Sequence, residues 1–529
     1  MSGVSRTEVT GRVGRHRPDP RAWPLLLVVV CAQMLIWLDT SVLNVAVTTL
    51  ADPSEGLGAS PAQLEWVASA YTLVFAGALF AGGALADRFG PRSTLLAGLF
   101  LFGAASAAGA FAPSADWLVV ARAFMGAGSA LLMPATLSVI VQCTPPERRA
   151  RAIAIWSSSS ALGVAVGPVV GGVLLSHFWW GAVFLVNVPI VAVCAVGTAA
   201  VVPALRGSGQ RVLDLPGLAL SVLGLSGVVY GVVELGNGQS WYGAHVLLPV
   251  AVGAALLAAF VAVQRRSPAP GLDLRLFRRP GFTAGSVVLL ISFGALAGHL
   301  FYAAFYLQGP RGLSPADAGL VMIAAAVGIV LGSQASPTLS RRLSARWTVT
   351  VGVLITALTY VGYLWFDQGT PIPVVVALLF AQGFGMGSVG TPVTTAMMSA
   401  VPQQLAGAGS AVNSVTRQVG GTLGVALAGS VLSAVYRDRM AHTALPGEAQ
   451  GLSAEAARQA RGSAEAARSL AGSLRLPELS AAADRAFLAA MDAATFWTAV
   501  VALAGAVVAA VGLRAREVQD ANSVGRKVD

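Results

Sequence analysis

The chain has 529 residues, of which 55% are hydrophobic and only 11% are charged, and its mean hydropathy is +0.71. A soluble globular protein carries roughly a quarter charged residues, so this composition excludes a soluble chain and indicates one embedded in a lipid bilayer. The net charge of +10 comes from arginines clustered between apolar runs, a pattern typical of membrane loops rather than of a nucleic-acid surface.

Apolar runs long enough to cross a membrane recur along the whole chain. The arginine-rich N-terminus leads into the first run without a small-residue cleavage site, which predicts an uncleaved span. About 20 apolar residues are needed for one crossing. By that rule the sequence predicts an all-α, multi-pass protein with fourteen transmembrane helices at 22–50, 64–86, 93–112, 115–142, 150–176, 180–203, 214–235, 244–264, 281–307, 315–338, 346–366, 372–400, 407–436 and 488–513.

The distribution of arginines predicts the orientation of these helices. Alternate connections hold clusters such as Arg88 with Arg92 and Arg341 with Arg342, whereas among the short connections on the other side only the one with Arg311 holds an arginine. Because basic residues stay on the cytoplasmic side, both termini are predicted to be cytoplasmic, in an inner or plasma membrane.

One polar segment, 437–487, lies on the predicted outer side. It contains two copies of Ser-Ala-Glu-Ala-Ala-Arg, a good helix-forming sequence without an apolar face wide enough to span. It is predicted to be a solvated, partly helical loop, and a lid or partner-binding hairpin over the outer mouth is the alternative.

An internal repeat predicts the domain organisation. A shift of 257 residues lays Gly126 and Gly128 on Gly383 and Gly385, and it also lays Gly163 and Gly167 on Gly420 and Gly424. Two six-helix bundles with two inserted linker helices follow. The predicted domains are an N-terminal tail 1–21, a first bundle 22–203, a linker with two extra helices 204–280, a second bundle 281–513 and a C-terminal tail 514–529.

The two halves differ in their intramembrane charges. Asp39 and Arg122 lie at nearly the same predicted depth in the first half, and the second half has apolar residues at both positions. A charge at that depth normally faces a cavity or a partner. The pair is either a packing ion pair or a proton-carrying carboxylate whose affinity for a proton depends on desolvation and on the nearby guanidinium.

Four other intramembrane polar residues are candidate secondary sites. Glu234 lies near the outer end of the seventh predicted span, where a carboxylate can reach water. His299 lies on an apolar helix as a packing residue or a proton relay, and Arg417 is a packing or anion-contacting residue near Asn413.

No Gly-Lys-Ser/Thr phosphate loop or His/Cys ligand cluster stands out, and Cys31, Cys143 and Cys194 are far apart. We therefore expect no catalytic site, no cofactor, no metal and no ATP drive.

Several motifs resemble those of the major facilitator superfamily, and specifically its fourteen-helix drug:proton antiporter subfamily. Leu38–Ala46 (LDTSVLNVA) is similar to the first-helix motif of that subfamily, and Gly83–Arg92 (GALADRFGPR) to the signature loop of the superfamily. Arg122 with its following glycines resembles the fourth-helix motif, and Gly163–Gly172 (GVAVGPVVGG) resembles the fifth-helix antiporter motif. Phe184–Pro189 (FLVNVP) and Asp273–Phe277 (DLRLF) are further similarities.

The resemblance implies the major facilitator fold and a proton-coupled antiporter that exports amphipathic small molecules by alternating access. Asp39 would take the proton, and Arg122 would adjust the affinity of Asp39 for it. A cytoplasmic latch would contain Gly83, Asp87, Arg88, Gly90 and Arg92. The outer side would be sealed by the fifth-helix residues Gly163, Gly167, Pro168, Gly171 and Gly172.

Two other functions stay open at this stage. One is an importer or uniporter of a metabolite or peptide on the same fold, and the other is a non-transporting membrane receptor or scaffold. The expected partners are an amphipathic small molecule, protons and the lipid bilayer, without nucleic acid or ATP, and the expected oligomeric state is a monomer.

Overall fold

The structure is a computed structural model that describes residues 22–51, 56–59, 61–204, 215–236, 242–266, 274–402, 405–443 and 454–513. These residues form α-helices and one short 3₁₀ helix, and no strand occurs among them. The predicted tails 1–21 and 514–529 lie outside this part of the chain, as do Asp273 and residues 444–453 of the polar segment.

The first half forms six spans, and the last of them comprises two helices that meet at Val186. Ser114 caps the fourth helix by accepting the Trp117 N–H, and Pro91 and Pro146 occupy first turns, where a missing N–H costs nothing. The helices are α1 (Ala22–Ala51), α2 (Pro61–Phe89), α3 (Pro91–Ala110), α4 (Ala115–Cys143), α5 (Pro146–His177), α6 (Ala182–Leu185) and α7 (Asn187–Val201).

Two further helices follow, α8 (Leu215–Gly236) and α9 (Ala244–Arg266), and then the 3₁₀ helix Leu274–Arg278. They pack closely because Gly253 of α9 lies against the backbone of Gly224 and Val228 in α8, where a side chain would not fit. The hydroxyl of Ser226 donates to the Leu73 carbonyl of α2 at 3.5 Å, so the inserted pair lies against the first bundle.

The second half repeats the arrangement with six long helices. They are α10 (Pro280–Gln308), α11 (Pro315–Leu343), α12 (Ala345–Tyr363), α13 (Ile372–Ser399), α14 (Ala406–Ala441) and α17 (Pro477–Gly512). In the described residues, thirteen helical segments are long and apolar enough to span a bilayer, and α8 adds a shorter apolar stretch, Ala219–Val232. With that helix the fourteen predicted spans are all helical.

Where the sequence predicts a solvated, partly helical loop at 437–487, the described residues form helices that pack against the second bundle. Helices α14 and α17 extend past the predicted span ends, and α15 (Ala454–Gly462) and α16 (Ala464–Leu474) lie between them. The Tyr436 hydroxyl donates to the Ala460 carbonyl at 2.9 Å, and Arg468 Nε donates to Asp484 Oδ1 at 2.7 Å. Alanines such as Ala460 are buried, so this hairpin adds a folded cap to the second bundle.

Glycines confirm the predicted repeat, because equivalent ones make equivalent contacts. A side chain at Gly126 would strike α2 near Phe75, and one at Gly383 would strike α11 at Ala325. Likewise, Gly128 faces α3 and Gly385 faces α12. The same two helix crossings are therefore built twice, once in each bundle.

The loops at which α2 meets α3 and α13 meets α14 lie at one end of the bundles, which we call the latch end. Hydrogen bonds that join the two bundles lie in this half of the molecule. The Ser410 hydroxyl donates to the Pro134 carbonyl at 2.8 Å, and Gln334 Nε2 donates to Ser158 Oγ at 3.3 Å.

Candidate functional site

Asp39 of α1 and Arg122 of α4 form a buried ion pair. Their exposed fractions are 2% and 1%, and Arg122 Nη1 donates to Asp39 Oδ2 at 2.5 Å. Burying two charges is costly, and their attraction offsets that cost only when further hydrogen bonds satisfy the remaining polar atoms. Both side chains have such additional partners.

The second donor to the carboxylate is Asn187. Its Nδ2 donates to Asp39 Oδ1 at 2.9 Å and to Ser106 Oγ at 3.1 Å. Asn187 is the first residue of α7, and Ser106 is fixed by donating to the Phe184 carbonyl at 2.8 Å. Both oxygens of Asp39 therefore accept a hydrogen bond, each from a different helix.

Arg122 is also fixed from the side of α2. Its Nε donates to the Val67 carbonyl at 3.2 Å, and its guanidinium carbon lies 4.3 Å from the centroid of the Tyr71 ring. A cation over an aromatic face is stabilised by the ring quadrupole. The Tyr71 hydroxyl is within 2.8 Å of Ser129 Oγ, which holds the ring in place.

The fifth-helix glycines bring α5 against the segment of α1 that carries Asp39. A side chain at Gly163 would meet the Met34 carbonyl at 2.7 Å and the Leu38 nitrogen at 3.2 Å, and Gly167 faces Ser41 just as closely. The Ser41 hydroxyl also donates to a backbone carbonyl of α5 at 2.8 Å. These glycines therefore position the Asp39 helix within the first bundle.

The remaining residues of that motif make looser contacts. A side chain at Gly171 would be in ordinary contact with Val42 at 3.4 Å, and one at Gly172 would meet nothing within 4 Å. Pro168 is an exposed proline inside α5.

Asp87 of α2 links the two bundles at the latch end. Its Oδ1 accepts from the Gly407 N–H at 2.7 Å and its Oδ2 from the Ala408 N–H at 2.9 Å. These are orphan donors at the beginning of α14, where the helix dipole also favours a negative charge. Gly83, one turn before Asp87 on α2, lies against Gly407, which allows this close approach.

The other residues of the signature loop make contacts within the first bundle. Arg92 Nη2 donates to the Ala199 carbonyl near the end of α7 at 2.7 Å, and the Arg88 guanidinium lies 5.1 Å from the Phe89 ring centroid. Gly90 has φ 89°, a backbone conformation that favours glycine, and it joins α2 to α3 without a longer loop.

Two of the secondary candidates, Asn413 and Arg417, share a cluster in the second bundle. Arg417 Nε donates to Asn413 Oδ1 at 3.1 Å, and both side chains donate to Thr394 Oγ1. His299 lies apart from them, buried with its ring centroid 4.2 Å from that of Tyr363. Glu234 is partly exposed near the end of α8.

Sequence reasoning missed Asn187, Ser106 and the role of Tyr71 at Asp39. The available signal for Asn187 was its position in the Phe-Leu-Val-Asn-Val-Pro segment, an amide inside an apolar span. Within the described residues, no group of three or more His, Cys, Asp or Glu side chains could hold a metal ion.

Comparisons with known proteins show the family. The profile of the Major Facilitator Superfamily matches residues 29–425, so the chain belongs to this superfamily of membrane transporters. It is 34% identical to the methyl viologen resistance protein of Salmonella typhimurium, over 92% of this chain and 95% of that protein. It is 35% identical to a multidrug efflux pump of Mycolicibacterium smegmatis (82% and 85%) and 36% identical to the cephamycin export protein of Amycolatopsis lactamdurans (81% and 88%).

A solved structure has the same fold. The crystal structure of the human organic anion transporter MFSD10 superposes with a TM-score of 0.58 and 15% identity, over 93% of this chain and 100% of that one. The fold is therefore that of a major facilitator, with two six-helix bundles and two inserted helices.

Proposed function

We propose that the protein is a proton-coupled antiporter that exports amphipathic small molecules across the cell membrane. Family membership and the export or resistance names of its relatives support the direction and the kind of substrate. The observation that carries the coupling is the buried Asp39 carboxylate, which receives hydrogen bonds from Arg122 and Asn187.

Protonation of Asp39 changes what its neighbours require. The neutral acid no longer balances the Arg122 guanidinium, and its new O–H needs an acceptor. Asn187 Oδ1 is buried without a hydrogen-bond partner among the described residues, so rotation of this amide supplies that acceptor. Asn187 can thus serve both the charged and the neutral carboxylate, while the contact between α1 and α4 weakens.

The latch supplies the conformational step. Asp87 binds the beginning of α14 only while the latch ends of the two bundles are together. With both termini in the cytoplasm, as the arginines predict, this contact closes the cytoplasmic side, and rocking of the bundles breaks it. The cycle runs in a monomer and uses the proton gradient instead of ATP.

Transport by purified protein in proteoliposomes tests this proposal. With an acidic lumen, inverted wild-type molecules should accumulate an amphipathic dye, and a protonophore should abolish accumulation. Asp39→Asn should lower the rate of accumulation at least about tenfold, the size expected when an interaction of about 1.4 kcal/mol is lost. Dye–dye counterflow, which needs no net proton movement, should persist.

Asp116→Asn is the matched control. Asp116 lies in the first turn of α4, in an exposed position, and its carboxylate accepts from Gln63 Nε2 at 2.8 Å. The same chemical change at this residue should leave transport unchanged. Undiminished accumulation by Asp39→Asn would contradict the proposal. Dye movement that is indifferent to the proton gradient would identify a uniporter, and no movement of any dye would favour a receptor or scaffold.

A further inference from the structure

Arg417 is a buried cation that the proton-coupling site does not use. Its exposed fraction is 7%, and its guanidinium carbon lies 5.4 Å from the Trp156 ring centroid and 4.8 Å from that of Phe293. Its two hydrogen-bond acceptors, Asn413 Oδ1 and Thr394 Oγ1, are both neutral. In the described residues no carboxylate forms an ion pair with it.

The position of Arg417 matches that of substrate sites in secondary transporters, which lie near the bilayer midplane between the two halves. It lies about 16 Å from the beginning of α14 at roughly 1.5 Å per residue, near the middle of a bilayer core about 30 Å thick. Trp156 belongs to α5 of the first bundle and Phe293 to α10 of the second. The guanidinium therefore lies between the two bundles.

The charges of the interior do not balance around Arg417. Asp39 is neutralised by Arg122, and Asp87 binds the beginning of α14 at the latch end. A buried guanidinium without a countercharge is costly in a membrane and usually marks a functional pathway. Its planar fork, with five N–H donors, is suited to bidentate binding of a carboxylate.

Two hydroxyl groups nearby give independent support. Thr391 Oγ1 and Ser414 Oγ are buried without hydrogen-bond partners in the part of the chain that the structure describes. Thr391 precedes Thr394 by one turn of α13, and Ser414 precedes Arg417 by one turn of α14. Buried hydroxyls normally find a partner, so these two lack an acceptor that an anion would provide.

We propose that Arg417, with Thr394, Thr391 and Ser414 beside it, binds an anionic oxygen group, such as a carboxylate, on the exported amphipathic molecule. The faces of Trp156 and Phe293 would receive its apolar part. This inference rests on the proposed export function and specifies the substrate class. A phosphate of an anionic lipid has the same chemistry, so the test separates the two sources.

The test measures binding of two probes that differ in one charge, pyrene-1-butyrate and its methyl ester. Each is titrated by fluorescence anisotropy against the purified full-length protein in phosphatidylcholine nanodiscs, with empty nanodiscs as blanks. The wild type should bind the carboxylate at least about tenfold more tightly than the ester, which corresponds to about 1.4 kcal/mol. Arg417→Gln should remove this preference and leave ester binding unchanged.

Arg437→Gln is the matched control, because Arg437 is an exposed arginine on the same helix. It should keep the full preference. Arg417→Lys keeps the charge but not the planar fork, so it should reduce the preference at least about threefold. This variant replaces Arg417→Gln in the test if Arg417→Gln does not fold. An unchanged preference in the Arg417 variants, or no preference in the wild type, would overturn the inference.

The source of the anion and the export function are tested separately. The two probes are also compared in nanodiscs of phosphatidylglycerol, an anionic lipid. If the wild type prefers the carboxylate there as strongly as in phosphatidylcholine, the site binds a solute. If the preference disappears, the site binds a lipid phosphate. Failure of the anion inference leaves proton-driven dye accumulation by the wild type intact. If the protein is not a proton-driven exporter, the wild type will not accumulate dye, irrespective of how the two probes bind.

Discussion

At the scale of single residues, the Asp39 carboxylate is held by one charged and one neutral donor. Arg122 can stabilise only the ionised form, whereas the amide of Asn187 can either donate or accept. The two donors come from α4 and α7. A change in the charge of one carboxylate therefore alters the contacts that α1 makes with two other helices.

We expect Asn187→Ala to slow proton-driven dye accumulation. The substitution removes the donor to the ionised carboxylate and also the acceptor that would serve the neutral acid, so each charge state of Asp39 loses a hydrogen-bond partner. A loss of about 1.4 kcal/mol would slow accumulation about tenfold. The measurement is the initial rate of dye accumulation at a constant pH difference across the membrane.

Ser106→Ala provides a graded comparison for that prediction. It removes an acceptor from Asn187 at 3.1 Å but leaves the bond from Asn187 to Asp39 in place. The loss of rate should be smaller than that of Asn187→Ala. Equal rates for wild type and Asn187→Ala would show that the amide does not serve the carboxylate.

The sequence allowed the contact between Asp39 and Arg122 to be anticipated, because both are charges at similar predicted depth. Asn187 could not be ranked in the same way. Its role depends on where α7 meets α1 and α3, a tertiary contact that local propensity does not indicate.

At the scale of helices, the two bundles use different residues at one equivalent turn. Gly90 joins α2 to α3 with φ 89°, and Ser344 joins α11 to α12 with φ 76° and ψ 157°. The second conformation is essentially restricted to glycine, and other residues adopt it at a cost of about 1–3 kcal/mol. The repeat has therefore kept the turn but not the residue that suits it.

Ser344→Gly should raise the free energy of unfolding by about 1 kcal/mol by relieving this strain. Gly90→Ser should lower it by a similar amount or more. Both changes are measurable as shifts of the thermal unfolding midpoint in detergent. Gly319→Ala in α11 is the control, because a side chain there meets nothing within 4 Å and should not lower the midpoint. A lower midpoint for Ser344→Gly would contradict the assignment of strain.

The positions of the membrane-spanning helices were predictable from the sequence, because each crossing of the lipid needs an apolar run of a certain length. Apolar length indicated the spans, and glycine spacing indicated the repeated crossings at Gly126 and Gly383. The hairpin of α15 and α16 was not predictable as a packed unit. Its buried face consists of alanines such as Ala457 and Ala467. This pattern is too weakly hydrophobic to distinguish a packed helix from a solvent-exposed one in the sequence.

At the scale of the whole molecule, α14 connects the latch with the interior. Its first residues bind Asp87 of the other bundle, and Arg417 lies further along the same helix between the bundles. A movement that separates Asp87 from Gly407 would therefore also move Arg417 relative to Trp156. In the proposed cycle, α14 would therefore couple opening of the latch to release of the anion.

Asp87→Asn should shift the population away from the closed latch. Hydrogen bonds to a charged group contribute about 1.5–3 kcal/mol, so the ratio of open to closed molecules should rise at least about tenfold. Spin labels on exposed sites of opposite bundles, Glu147→Cys and Ser399→Cys, would report the distance by double electron–electron resonance in a background without native cysteines. Asp116→Asn should leave the distribution unchanged, and an unchanged distribution in Asp87→Asn would contradict the latch.

Proton release on substrate binding tests the coupling at Asp39 most directly. Purified protein in a weakly buffered detergent solution is mixed with a saturating transported dye, and a pH indicator reports the protons released. We predict release of up to one proton per molecule from the wild type and from Asp116→Asn, and no release from Asp39→Asn. Equal release from the wild type and Asp39→Asn would contradict coupling at Asp39.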